Sequence, residues 1–73
     1  MNIKPSKKTD ARAGIQSVEV AARLLDAMAA ADGPMPLKAL ADAAGMAASK
    51  AHRYLVSMCR TGMMEQDPET GLY

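Results

Sequence analysis

Polar and basic side chains are concentrated between Ser49 and Arg60 of this 73-residue sequence. Six of them could donate hydrogen bonds or carry positive charge: Ser49, Lys50, His52, Arg53, Ser57 and Arg60. No acidic residue occurs from Ala47 to Thr61. Arginine and lysine bind phosphate oxygens, arginine also binds guanine edges, and hydroxyl groups donate to either acceptor. These side chains therefore have the chemistry needed to contact nucleic acid. The alternative is that they form an ordinary solvated surface or, for Ser49, that the side chain caps a helix.

His52 and Cys59 are the other reactive pair in this segment. Seven residues apart on a helix, they would be separated by about 10 Å, which exceeds the hydrogen-bond reach that a nucleophile and its base require. They are also the only histidine and the only cysteine, too few for the three or four protein ligands of a zinc site. We therefore expect no catalytic site, no metal and no cofactor.

The single cysteine excludes an internal disulfide and is typical of a reducing compartment. The sequence contains no apolar run long enough for a secretory signal or a membrane span. These features predict a cytoplasmic protein without a membrane partner.

Charge is unevenly distributed along the chain, although the net charge is only +1. Residues 1–12 carry four basic side chains and one acid, whereas residues 62–73 carry three acids and no base. Residues 1–14 show no apolar periodicity, which predicts a flexible basic arm that could lie along a phosphate backbone. A plain disordered terminus is the alternative.

The fold of residues 15–73 must position this donor-rich segment. Apolar residues recur there at intervals of three and four, which predicts helices. The first helix is predicted from about Ser17, its N-cap, to Ala31, before Asp32-Gly33-Pro34. Its core-facing stripe is predicted to be Val18, Ala21, Ala22, Leu25 and Met28.

A second helix is predicted from Pro36 to Ala44, and a third, the recognition helix, over about 48–61. Gly45 lies where the turn between them needs a positive φ, and Ala41 lies where two crossed helices require a small side chain. Apolar residues occupy the other inward positions: Leu37, Leu40, Ala44, Met46, Ala51, Tyr54, Leu55 and Met58. This pattern predicts a helix-turn-helix.

The residues after Gly62 predict a wing beginning at about Met63. Met64–Gln66 could form one strand, Asp67–Gly71 has strong turn chemistry, and Leu72–Tyr73 begins a return strand. The predicted fold is mostly α: a three-helix winged helix-turn-helix with a truncated C-terminal β-hairpin wing. We expect Leu72 and Tyr73 to be poorly covered and the chain to be a fragment of a longer protein.

The sequence from about Gly14 to Tyr73 resembles the DNA-binding domain of IclR-type bacterial transcription regulators. The matching pieces are SVEVAARLLDAMAA, PLKALADAAGM, SKAHRYLVSM and GMMEQDPETGLY. Lys50, Ala51 and Tyr54 depart from residues that are common in the family, so a base preference does not carry over. The resemblance implies a double-stranded DNA operator, a homodimer or tetramer, and a small-molecule effector bound only by a C-terminal domain absent from this fragment.

We therefore predict sequence-specific binding of double-stranded DNA by a nucleoid-associated transcription regulator, with the recognition helix in the major groove. The six donor residues named above are its predicted contacts. The alternative is a winged-helix module that binds another protein. A polar, basic face on the recognition helix favours DNA.

Overall fold

The computed structural model of the chain describes residues 13–73. It contains α1 (Gln16–Ala30), α2 (Leu37–Ala44) and α3 (Ala48–Arg60). The predicted three-helix order is confirmed, with helix ends within one or two residues of the prediction. The predicted basic arm, residues 1–14, falls almost entirely outside the described residues.

The start of α1 differs from the prediction. Its N-cap is Ile15, which is extended and provides no capping side chain. Ser17 lies inside the first helical turn, where its own backbone is already helical, so it cannot act as the N-cap. Glu19 is in the same turn and lies near the positive end of the helix dipole, as expected.

The buried face of α1 also differs from the prediction. Val20 and Leu24 are the buried residues, at 1% and 0% exposure, whereas Val18 and Leu25 are 65% and 39% exposed. Ala22 is also exposed, and only Ala21 and Met28 of the predicted stripe pack against the core. The helix carries two adjacent apolar stripes, and the structure buries the one that contains Leu24.

The turn between α2 and α3 is built as predicted. Gly45 has a φ of 75°, and its N–H donates to the carbonyl groups of Ala41 and Asp42. The N–H of Met46 also donates to the Ala41 carbonyl at 3.0 Å. Ala41 is 1% exposed, so its small side chain lies in the core between the helices. These bonds end α2 and direct the chain into α3.

Gly45→Ala should destabilise the chain by about 1 kcal/mol, because the left-handed backbone conformation is unfavourable for an L residue that has a Cβ atom. A Cβ at this position would have no atom within 4 Å, so steric contact adds nothing. Gly33→Ala is the matched control, since that position is equally open and does not have a positive φ. Urea titrations of both variants measure the difference. Equal stability of the two would contradict a conformational role for Gly45.

The three helices enclose one core, which is built from aliphatic and methionine side chains and Tyr73. Its members are Val20, Leu24, Leu40, Ala41, Ala51, Leu55, Met58, Met64 and Tyr73. Among residues 13–73, no charged or polar side chain is buried. Function must therefore be located on the surface that this core holds in place.

Gly62, with a φ of 82°, ends α3 and reverses the chain. The N–H of Met63 then donates to the Met58 carbonyl at 2.8 Å, which closes the C-terminal end of the helix. The side chain of Met63 is 52% exposed, and that of Met64 enters the core instead. The reversal thus anchors the C-terminal segment beneath α3.

The predicted β-hairpin wing is not formed, and residues 13–73 contain no strand. Its turn is present: the Gly71 N–H donates to the Asp67 carbonyl at 2.8 Å, and the Asp67 N–H donates to the Leu72 carbonyl at 2.9 Å. The returning arm, Leu72 and Tyr73, is too short for a ladder with the other arm.

Tyr73 pairs instead with Met35, in the segment between α1 and α2. Each residue donates its N–H to the carbonyl of the other, at 2.8 Å and 3.0 Å. Tyr73 is only 9% exposed, so the expectation that it is poorly covered is wrong, and Leu72 is half-buried. Burial raises the pKa of the Tyr73 hydroxyl, and the charge of nearby Cys59 adds to the shift.

Candidate nucleic-acid interface

α3 is positioned by one row of side chains that faces the other helices. Ala51, Leu55 and Met58 are 0–2% exposed, and their spacing places them on one side of the helix. The outer side of α3 is therefore fixed in direction without using any of the residues predicted to contact DNA.

Five of the six predicted contact residues are exposed: Ser49, His52, Arg53, Ser57 and Arg60. Lys50 is half-buried. At about 100° per residue, Ser49, Arg53 and Arg60 fall within about 40° of one another on the helix circumference, opposite the buried row. They form the centre of the outward face.

The other three predicted residues are on the flanks of this face. His52 is about 60° from Ser49 on one side, whereas Ser57 and Lys50 are about 40–60° from Arg53 on the other. Ser57 and Arg53 also line a groove between α3 and α1. A partner that touches only the centre of the face would not reach these three residues. A partner that surrounds half of the helix would reach all six predicted residues.

The outward face is positively charged, and no acid of residues 13–73 forms an ion pair with it. Between residues 13 and 73, the structure contains one ion pair, Lys38 with Asp42 on α2, at 3.4 Å. Lys50, Arg53 and Arg60 thus have no carboxylate within ion-pair distance in this part of the chain. Their charge is available to an anionic ligand.

The N-terminus of α3 lacks a side-chain cap. Its N-cap is Ala47, and no side chain accepts a hydrogen bond from the first-turn N–H groups. The possible capping role of Ser49 is therefore wrong, because the helix has already begun at Ala48. Ser49 lies in this first turn, close to the free N–H groups and the positive end of the helix dipole, which favour an anion.

The C-terminus of α3 is closed by side-chain and backbone bonds. The Thr61 hydroxyl donates to the carbonyl of Ser57 at 3.0 Å and to that of Met58 at 3.2 Å. Arg60 lies in the last turn, where a cation interacts favourably with the negative dipole end. This end of the helix is held firmly, with the Arg60 side chain still exposed.

Two surface features were not predicted as parts of a site. Val56 is half-buried on the outward side, between His52 and Arg60 on the circumference. The groove between α1 and α3 was missed because its α1 wall, including Val18 and Leu25, was predicted to be core. The sequence did indicate this groove, because α1 carries a second apolar stripe.

The described part of the structure contains no candidate metal-binding cluster. No three histidine, cysteine or acidic residues come together anywhere in residues 13–73. His52 is exposed and Cys59 is half-buried, two helical turns apart. None of the helices in this range is both long and apolar enough to span a membrane.

A family model described as the IclR helix-turn-helix domain matches residues 17–68. The match begins in the first turn of α1 and ends inside the turn after Asp67, so it includes all three helices. Neither a curated protein nor a solved structure matches the chain. The matched family is one of DNA-binding regulator domains and not of enzymes.

Proposed function

We infer the function of this chain from its family: the chain belongs to the IclR helix-turn-helix domain family and is a DNA-binding domain of a transcription regulator. We propose that it binds double-stranded DNA sequence-specifically, with α3 in the major groove. The observation that carries the proposal is the outward face of α3, which has no acid of its own and whose cations form no ion pair within residues 13–73. The major groove of B-DNA admits an α-helix and displays a distinct pattern for each base pair.

Arg53 is the proposed base-reading residue. It is exposed, lies on the outward face between Ser49 and Arg60 along the length of α3, and has the fork of donors that pairs with a guanine edge. Ser49, beside the uncapped helix N-terminus, is placed to donate to a phosphate together with the free N–H groups.

The remaining predicted residues have supporting roles in this proposal. Lys50, on one flank, and Arg60, in the last turn of the helix, neutralise phosphates, and His52 and Ser57 donate hydrogen bonds from the flanks of the helix. Phosphate contacts fix the register of the protein on the duplex, whereas base contacts provide the sequence preference. The proposal thus separates affinity for any DNA from affinity for one site.

The acidic C-terminal segment should face away from the duplex. Glu65, Asp67 and Glu69 are exposed, and the Asp67 carboxylate accepts a hydrogen bond from the Glu69 N–H at 2.9 Å. Negative charges near a phosphate backbone weaken binding, so the charge asymmetry favours an orientation with α3 toward the DNA.

In the complete regulator, we propose that two or four such domains act together on one operator. A small effector would be bound by a separate domain outside these 73 residues, as the family resemblance implies. The setting would be the cytoplasm, at the nucleoid. A protein-binding role in place of DNA binding has no observation in its favour, because the outward face of α3 is polar and cationic.

Arg53→Ala should weaken binding to a selected duplex by about 1–3 kcal/mol and reduce discrimination against random DNA. Lys50→Ala should weaken binding to both duplexes alike and reduce the salt slope by about 1, because a phosphate contact carries no sequence information. Titrations against the selected and the random duplex, over a salt series, measure both effects.

Arg23→Ala is the matched control for these titrations. Arg23 is an exposed arginine on α1, away from the outward face of α3, so its removal should leave DNA affinity nearly unchanged. If Arg53→Ala and Arg23→Ala had the same small effect, α3 would not be the reading helix. If no variant and no duplex showed binding, the proposed function itself would be wrong.

A further inference from the structure

Val56 is the one apolar side chain on the outward half of α3, where all its neighbours are polar or charged. On the helix circumference it is about 40° from Arg60 and about 60° from Arg53. Val56 is half-buried, yet within residues 13–73 it is not among the apolar side chains that pack against the core. Core packing therefore does not explain an apolar residue at this position.

Helix propensity does not explain a valine at this position either. Valine is a weaker helix former than alanine, because its branched Cβ restricts χ1 against the preceding turn. The same restriction holds the two methyl groups of Val56 in one direction, so a ligand that contacts them does not have to order them. Val56 thus presents a small, rigid apolar surface in the middle of a hydrogen-bonding face.

The major groove of DNA offers one apolar group that matches this surface. The C5-methyl group of thymine projects into the groove, whereas the other base-edge groups displayed there are hydrogen-bond donors and acceptors. Apolar side chains contact this methyl group, and the contact distinguishes a thymine from the other bases. A valine among donors therefore fits a base sequence in which a thymine lies near a hydrogen-bonded base.

We propose that Val56 reads a thymine through its methyl group and is a second residue of α3 that determines sequence preference. The inference rests on the proposed DNA binding by α3. Arg53 and Val56 are three residues apart, which places their Cβ atoms about 5–6 Å from each other on the helix surface. Successive base pairs are about 3.4 Å apart. The thymine should therefore lie one to three base pairs from the guanine that Arg53 binds.

Replacing thymine by deoxyuridine tests the proposal, because uracil lacks only the methyl group and keeps the hydrogen bonds of the base pair. Each thymine of a duplex selected from a random pool is replaced in turn, and affinity is measured for the original chain and for Val56→Ala. One replacement should weaken binding by the original chain about fourfold, the effect of removing one buried methyl group. Val56→Ala should bind this uracil duplex and the thymine duplex equally.

Val18→Ala is the matched control. It is the same substitution at a valine on α1 that is 65% exposed and does not belong to α3, so the fourfold ratio should be retained. Circular dichroism should show that Val56→Ala is folded, since alanine is the better helix former. The Arg53 guanine is located by a parallel scan with 7-deazaguanine, which lacks the N7 acceptor, on the original chain and on Arg53→Ala.

A uracil effect of equal size in the original chain and in Val56→Ala would overturn the proposal, because another residue or the shape of the DNA would then sense the methyl group. So would the absence of any uracil effect, or a sensitive thymine more than about three base pairs from the Arg53 guanine. Each of these results requires a bound duplex and leaves the proposed DNA binding intact. Failure of every duplex to bind would overturn both proposals.

Discussion

Leu24→Ala is expected to unfold much of the chain at 25 °C, whereas Leu25→Ala is expected to leave it folded. Leu24 is 0% exposed and packs in the core cluster, and deleting such a side chain costs about 2–5 kcal/mol. A core of this size rarely supplies more than about 3–5 kcal/mol in total. The loss at Leu24 is therefore comparable with the whole stability of the domain.

Leu25 is the matched control, because the same substitution is made one residue later in the same helix. It is 39% exposed and should lose less than about 1 kcal/mol. Far-ultraviolet circular dichroism during urea titration measures both variants. Leu25→Ala costing as much as Leu24→Ala would mean that α1 is rotated from the orientation described above.

The same pair of leucines shows where the sequence alone was insufficient. Both Leu24 and Leu25 lie on helical apolar stripes, since alanines fill most positions around them and the charged residues Glu19, Arg23 and Asp26 fall on neither. Periodicity identifies a helix but cannot choose between two adjacent stripes. Packing against α2 and α3 decides which stripe is buried. The periodicity of a single helix carries no information about that packing.

The turn between α2 and α3 was predictable because its requirement is local. Gly45 adopts the φ of 75° that the position needs, and Ala41 has the small side chain that a close crossing allows. The C-terminal segment was not predictable in the same way. Tyr73 pairs with Met35, and nothing in the residues around either position identifies the other.

For the candidate interface, the residue types were predictable and their directions only partly so. A run of donors without acids indicates an anion-binding face wherever it lies on a helix. The half-burial of Lys50 and the place of Arg53 at the rim of the groove depend on how α1 and α3 cross. The residue-by-residue DNA contacts stay predictions until a duplex is bound.

Joining two copies of the chain should raise affinity for a two-site duplex by about 10²–10⁴-fold, because the second contact becomes intramolecular. One domain offers few phosphate donors, the main ones on α3 being Lys50, Arg53 and Arg60. Each phosphate contact steepens the fall of log K with log salt by about 0.9. The single domain should therefore bind weakly with a shallow salt slope, and the fused dimer should show roughly twice that slope.

The duplex should carry two selected half-sites whose centres are about 34 Å apart, one helical turn, so that both α3 helices meet the major groove on the same side. A fused dimer with Arg53→Ala in one copy is the internal control: it should retain most of the salt slope but lose discrimination at one half-site only. Shifting the spacing by half a turn should remove most of the gain, since the second helix would then face the minor groove or the opposite side. A fused dimer that binds no more tightly than the single domain on any spacing would exclude paired DNA recognition by this chain.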